Sequence, residues 1–149
     1  MAGFRSPLRP LPFGSPAATS PDSEEVDWVV RIGLAELALG GLLGWAMVIR
    51  GERPEWLRRI GVVAPQRIRQ VHLDYVMMGL ILIGVGLAVP DLPTAVAAAL
   101  VFGTFVNPLL FVPLAFDPDV DKRLWYRALA VVSFLGVSGG LVIAAIVGP

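Results

Sequence analysis

Four polar side chains, Glu36, His72, Asp74 and Asn107, interrupt otherwise apolar stretches of this sequence. A membrane interior tolerates few ionisable groups, and those that it holds commonly serve ion, proton, ligand or metal chemistry. His72 is the only histidine, and neutral imidazole is the commonest metal ligand in proteins. Glu36 is a carboxyl of the kind that proton-coupled transporters use. The amide of Asn107 is suited to holding a ligand. These residue types predict chemistry inside a membrane.

A purely structural interpretation stays open for each group. His72 can be a histidine near the membrane surface that is hydrogen-bonded to a neighbour, and Glu36 can form a hydrogen bond between helices. Asn107 precedes Pro108, and Pro113 follows in the same stretch. Proline removes a backbone hydrogen bond from a helix, so a kink near Asn107 is also expected.

The small number of metal-binding side chains in this sequence limits which metal sites His72 could belong to. Cysteine is absent, which excludes thiolate sites. With a single histidine, one chain cannot supply two axial imidazoles to a haem. Any haem would have one imidazole ligand, with the sixth position open or filled by a weaker donor such as Met77 or Met78. An open position favours binding chemistry or catalysis over electron transfer.

Helical geometry divides the polar groups between two faces. At about 100° per residue, His72 and Asp74 point to nearly opposite sides of one helix. His72 shares its face with Tyr75 and Gly79, whereas Asp74 shares its face with Met77 and Met78. We expect one face to contact the other helices of the chain and the other to contact a second copy.

Four long apolar stretches would position these groups. Hydrophobic residues make up 56% of the 149 residues and charged residues 16%, below the roughly 25% of a typical soluble domain. Each stretch approaches the ~20 apolar residues that cross a membrane as a helix. The sequence therefore predicts an all-α fold, an antiparallel bundle of four transmembrane helices. The predicted spans are about 27–49, 67–89, 93–116 and 124–147.

The chain divides into a tail and a membrane domain. Residues 1–24 are rich in proline and serine and predict a disordered tail before a membrane domain of residues 25–149. The loops between spans one and two and between spans three and four, together with the helix starts that follow them, carry eight of the eleven arginines. The positive-inside rule places both loops in the cytoplasm and both termini outside, in an inner or plasma membrane. A net charge of zero does not suggest nucleic-acid binding.

Glycines recur along the predicted spans, for example Gly33, Gly79, Gly103 and Gly140. Small residues let helices approach closely in lipid, and this is the simplest interpretation of each one. A second interpretation is that some of them clear space for a flat ligand.

Three segments carry a family resemblance. Residues 69–74, with Arg69 three residues before His72, followed by Met-Gly at 78–79, resemble the second span of the hydroxylaminobenzene mutase and styrene oxide isomerase group. Residues 103–107, Gly-Thr-Phe-Val-Asn, are similar to that group's third-span Gly-Thr-aromatic-Ala-Asn segment. Residues 39–44 resemble its first-span glycine pattern. The resemblance covers about residues 34–116.

The resemblance implies a small four-helix membrane protein that forms a trimer and binds haem b. The group rearranges an aryl epoxide to an aldehyde, or an arylhydroxylamine to an aminophenol, without net redox change. Ferric iron acts as the Lewis acid in the epoxide branch. Mapped onto this chain, His72 would be the axial ligand, with Tyr75 and Gly79 beside the cofactor. Asn107 would lie near the substrate oxygen.

Three positions depart from the group's pattern, one of which is Pro108, a residue that is unusual there. Met78 stands where the group has asparagine, and Phe111 stands where its isomerases have tyrosine. The leading interpretation is a haem-b-dependent membrane isomerase or mutase that acts on a small apolar substrate. The alternatives are a small proton-coupled transporter that uses Glu36, and a non-catalytic membrane subunit whose polar residues only hold helices together.

Overall fold

A computed structural model describes residues 21–148, with side chains from residue 28 onward, and this part of the chain is helical without strands. Its helices are α1 (Pro21–Glu52), α2 (Pro54–Arg59), α3 (Pro65–Ala88), α4 (Thr94–Leu109), α5 (Phe111–Phe116) and α6 (Leu124–Val147), with a 3-10 helix at Pro118–Lys122. The predicted tail lies outside the described residues except for its last four, which begin α1.

Four segments of the described chain are helical, long and apolar enough to cross a membrane. They are Trp28–Glu52, Pro65–Ala88, Thr94–Phe116 and Leu124–Val147. The predicted all-α bundle of four membrane helices is therefore confirmed. Prolines set several of the boundaries, because Pro54 and Pro65 are the first residues of α2 and α3. Proline suits this position since the first helical N–H has no partner within the helix.

The third span is divided into α4 and α5 by a break at Leu110. The two prolines of this span predict such a disturbance, because each removes one backbone donor. The hydroxyl of Tyr126 on α6 donates to the carbonyl of Leu110 over 3.0 Å. This bond satisfies a carbonyl at the break, as an apolar environment requires.

Two helix pairs build the bundle: α1 packs along α3, and α4 packs along α6, while α3 also contacts α4 and α5. All four spans contribute to one buried apolar core. Its buried members are Val29, Leu82, Ala97, Leu100 and Val137. The core lies toward the end of the bundle where α1 begins and α3 ends.

Glycines allow the helices to touch through their backbones. A Cβ atom added to Gly79 would lie 2.6 Å from the carbonyl oxygen of Gly33 on α1. A Cβ atom added to Gly103 of α4 would lie 2.5 Å from the carbonyl oxygen of Ser133 on α6. At Gly139, by contrast, an added Cβ would meet nothing within 4 Å. Close packing is thus the role of Gly79 and Gly103.

Two of the three aspartates between α5 and α6, Asp117 and Asp119, form side-chain hydrogen bonds within the loop. Asp117 accepts a hydrogen bond from the backbone N–H of Asp119 over 3.0 Å and one from Arg123 over 3.0 Å. Lys122 donates to Asp119 over 2.6 Å, and this hydrogen bond lowers the pKa of the exposed Asp119 carboxyl. Asp117 and Asp119 therefore stabilise the turn into α6.

We expect Gly103→Ala to lower the free energy of unfolding by about 1–3 kcal/mol, because the new methyl group would push α4 away from α6. Gly139→Ala is the matched control on α6, since its methyl group would enter open space. Unfolding in mixed detergent micelles, followed by circular dichroism, measures both variants. Equal losses for the two glycines would contradict the packing described here.

Candidate functional site

The carboxyl group of Glu36 lies at the centre of the bundle, where α1 meets α4. Glu36 is 2% exposed and Thr104 is fully buried. Oγ1 of Thr104 donates to Oε1 of Glu36 over 3.1 Å, and it also lies 3.0 Å from the carbonyl oxygen of Val101. A hydroxyl has one hydrogen to donate. The two acceptors therefore compete for it.

The second oxygen of this carboxyl, Oε2, is buried and has no hydrogen-bond partner within the described residues. Buried polar groups nearly always have a partner, and an exception calls for a functional or structural reason. Glu36 could be identified from the sequence, but its pairing with Thr104 could not. The glutamate therefore belongs to the candidate site.

Tyr75 and Gly79 of α3 contact neighbouring helices, Tyr75 on α4 and Gly79 on α1. Tyr75 is 1% exposed, and its hydroxyl donates to the carbonyl of Phe105 on α4 over 3.1 Å. Its ring also packs edge-to-face with the Phe105 ring at a centroid distance of 6.0 Å. Gly79 is packed against Gly33 and Leu37 of α1. Both residues hold helices together, and the cofactor contact inferred for them from the resemblance stays a prediction.

The imidazole of His72 lies against α1. Its Nδ1 atom is 2.7 Å from the carbonyl oxygen of Gly40, and its Cε1 atom would lie 3.4 Å from a Cβ added to Gly44. Because a carbonyl oxygen only accepts, Nδ1 must carry the hydrogen, which leaves the lone pair on Nε2. Nε2 has no hydrogen-bond partner within the described part of the chain. Gly40 makes this approach possible, because a Cβ atom added there would lie 2.8 Å from a methyl carbon of Val76 on α3.

This hydrogen bond has two consequences. It satisfies a half-buried histidine, as the structural interpretation requires. It also fixes the ring in the orientation and tautomer that metal-ligating histidines adopt, with one nitrogen bound to a carbonyl and the other free to bind metal.

The residues on the other side of α3 have different surroundings. Asp74 is half-buried and forms no hydrogen bond or ion pair with any described residue. Met77 is 58% exposed, whereas Met78 packs against the apolar core. Met78, predicted to share a face with Asp74, therefore packs against other helices of this chain, contrary to the expectation that this face contacts a second copy.

Asn107 is half-buried in an open groove between α4 and α6. The groove has a volume of about 380 Å³, and its other lining residues are Ala130, Val131, Phe134 and Leu135 of α6. His72, in contrast, contacts α1. The structure therefore brings Glu36 and Thr104 together, but it places His72 and Asn107 against different helices.

Comparison of the chain with models of known protein families, curated protein sequences and solved structures finds no match. The class of the protein follows from its fold. Four helices of the described chain have the length and apolar composition of membrane spans, and they define a multi-pass membrane protein.

Proposed function

We propose that this protein binds haem b through His72 and rearranges a small aromatic epoxide or arylhydroxylamine. The observation that supports the proposal is the 2.7 Å hydrogen bond from Nδ1 of His72 to the carbonyl of Gly40, which leaves Nε2 as a free metal ligand. We further propose an inner or plasma membrane location with the arginine-rich loops in the cytoplasm, which the positive-inside rule favours.

The donor set of the chain is compatible with haem. No group of three or more His, Cys, Asp or Glu side chains that could hold a metal occurs among the described residues. A metal held only by the protein would need such a group. Haem needs a single protein ligand, because the porphyrin supplies four nitrogens. One oriented imidazole in an apolar bundle fits this requirement.

Bound haem would supply a Lewis-acidic iron that polarises the oxygen atom of the substrate. His72 would hold the cofactor through Nε2, while the Gly40 carbonyl keeps the ring from rotating. Asn107 would orient the substrate by donating an amide hydrogen to its oxygen. The apolar spans would exclude water, which favours rearrangement within the substrate over hydrolysis.

The proposed site requires more than one copy of the chain. His72 and Asn107 lie against different helices, and the Asn107 groove is open at the surface of the single chain. An amide facing lipid has no water to hydrogen-bond. We therefore include a homo-oligomer in the proposal, a trimer on the basis of the resemblance, in which Asn107 of one copy faces the cofactor held by another.

A second function, proton-coupled transport of a small molecule, is favoured by one specific observation. Oε2 of Glu36 is buried without a partner within the described chain, and a carboxyl that exchanges its proton with a substrate has to give up its bonds easily. Its hydrogen-bond partner within the described chain, Thr104, belongs to α4, so a substrate path that includes Glu36 would run between α1 and α4.

We expect purified protein expressed with a haem supply to show a Soret absorption band that His72→Ala abolishes or shifts, because the variant lacks the ligand nitrogen. Asp74→Asn is the matched control, since it removes a charge from the opposite face of α3 and should retain the band. Absorption spectroscopy and haem extraction measure both variants. A folded wild-type protein without haem would refute this function.

Catalysis is expected to depend on Asn107. Asn107→Ala should retain the Soret band but lower kcat for aryl epoxides or arylhydroxylamines by about 100-fold, the typical loss when one hydrogen-bond donor to a reacting oxygen is removed. Chromatography of the aldehyde or aminophenol product provides the measurement. Unchanged kcat in a haem-loaded variant would remove Asn107 from the proposed mechanism.

The transporter alternative makes the opposite prediction. Proteoliposomes with an imposed pH gradient should then show substrate-driven proton movement that Glu36→Gln abolishes, because glutamine keeps the acceptor for Thr104 but cannot exchange a proton. The His72→Ala variant should show the same substrate-driven proton movement as wild type. A pH-sensitive dye in the vesicle lumen records the flux, and identical traces for wild type and Glu36→Gln would exclude this function.

A further inference from the structure

A cavity of about 590 Å³ lies where α1 ends and α3 begins, under the short helix α2. Leu57, Val62 and Val63 form an apolar wall, and the guanidinium-bearing side chains of Arg50 and Arg58 also line the cavity. Neither Glu36 nor Asn107 lines this cavity, which is separate from the groove at Asn107.

Specific contacts hold the cavity wall in place. The chain turns after α2 at Gly61, whose φ of 88° is readily adopted only by glycine. The backbone N–H groups of Val63 and Ala64 then both donate to the carbonyl of Ala115 in α5, over 2.9 and 3.0 Å. Leu57 and Val62 are buried against Ala115. The cavity is therefore part of the folded structure.

The two arginines of the cavity have no acidic partner in the part of the chain that the structure describes. Arg50 and Arg58 form no hydrogen bond or ion pair with any described residue, whereas the neighbouring Arg53 stacks on the ring of Trp56 at 5.7 Å. Residues 50–69 contain six arginines and two glutamates, a net charge of +4. Neither glutamate lines the cavity. An anion is the complementary occupant.

The position of the cavity indicates what carries the anion. It lies at the end of the span Trp28–Glu52 and at the beginning of the span Pro65–Ala88, which is the level of lipid headgroups. Large apolar side chains around it are exposed, with Trp56 at 51%, Ile60 at 66% and Val63 at 60%. The basic helix α2, together with these exposed apolar side chains in it and in the turn that follows, is suited to the membrane interface.

We propose that this cavity binds an anionic phospholipid of the leaflet that the arginine-rich loop contacts. The phosphate group lies between Arg50 and Arg58, as guanidinium groups suit phosphate oxygens. The glycerol backbone and the first methylene groups lie against the wall formed by Leu57, Val62 and Val63. Basic pockets at the ends of membrane helices bind anionic headgroups in this way.

Native mass spectrometry of the delipidated full-length chain tests the proposal with phosphatidylglycerol and with phosphatidylcholine of the same acyl chains. We expect wild type to bind phosphatidylglycerol more tightly. Arg50→Gln and Arg58→Gln should each weaken that binding about fivefold, the effect of about 1 kcal/mol per arginine near an anionic lipid. Arg59→Gln is the matched control, since it removes the same charge from α2 but does not line the cavity. It should weaken binding less than twofold.

A second variant tests the cavity without changing any charge. Val63→Phe should weaken phosphatidylglycerol binding as strongly as Arg58→Gln, because the larger ring fills the space beside the apolar wall. Equal losses for Arg58→Gln and Arg59→Gln would overturn the proposal in favour of a diffuse charge effect. Equal affinity for the two lipids, unchanged binding in Val63→Phe, or full displacement by inorganic phosphate would overturn it as well.

Discussion

Backbone contact between α1 and α3 is the interaction on which the polar groups of this protein depend. In lipid, helices gain little from the hydrophobic effect when they associate, so close packing and hydrogen bonds must hold them together. A Cβ added to Gly40 would lie 2.8 Å from a methyl carbon of Val76. Its absence brings α3 close enough for His72 to reach the Gly40 carbonyl. One glycine thus serves packing and orients the histidine.

The polar groups fall into two sets that have different consequences. Tyr75 and Tyr126 donate to backbone carbonyls of other helices, and each such bond fixes a contact between spans. Oε2 of Glu36 and the side chain of Asp74 have no partner within the described residues. An unpaired polar group in apolar surroundings is costly. The second set therefore marks where a proton, a ligand or another copy is expected.

Much of the fold could be predicted because membrane spans depend on local composition. Long apolar runs locate the four spans, and prolines such as Pro54, Pro65 and Pro113 set helix starts or a break, since proline acts within its own helix. The separation of His72 from Asp74 onto two faces of α3 also follows from local geometry, because each helical residue turns by about 100°. These features need no information from distant parts of the chain.

The sequence by itself determined the number of spans, the polar residues that they carry, and the span bounds within about three residues, except that α1 already begins at Pro21. Only the tertiary structure decided the partners: Thr104 for Glu36, 68 positions away, and Gly40 for His72, 32 positions away. It also decided that Arg50 and Arg58 border one cavity. A span that is apolar on every side carries no stripe that shows which face meets which helix. The faces are chosen when the helices pack, because only then do glycines and polar groups of different spans fit together.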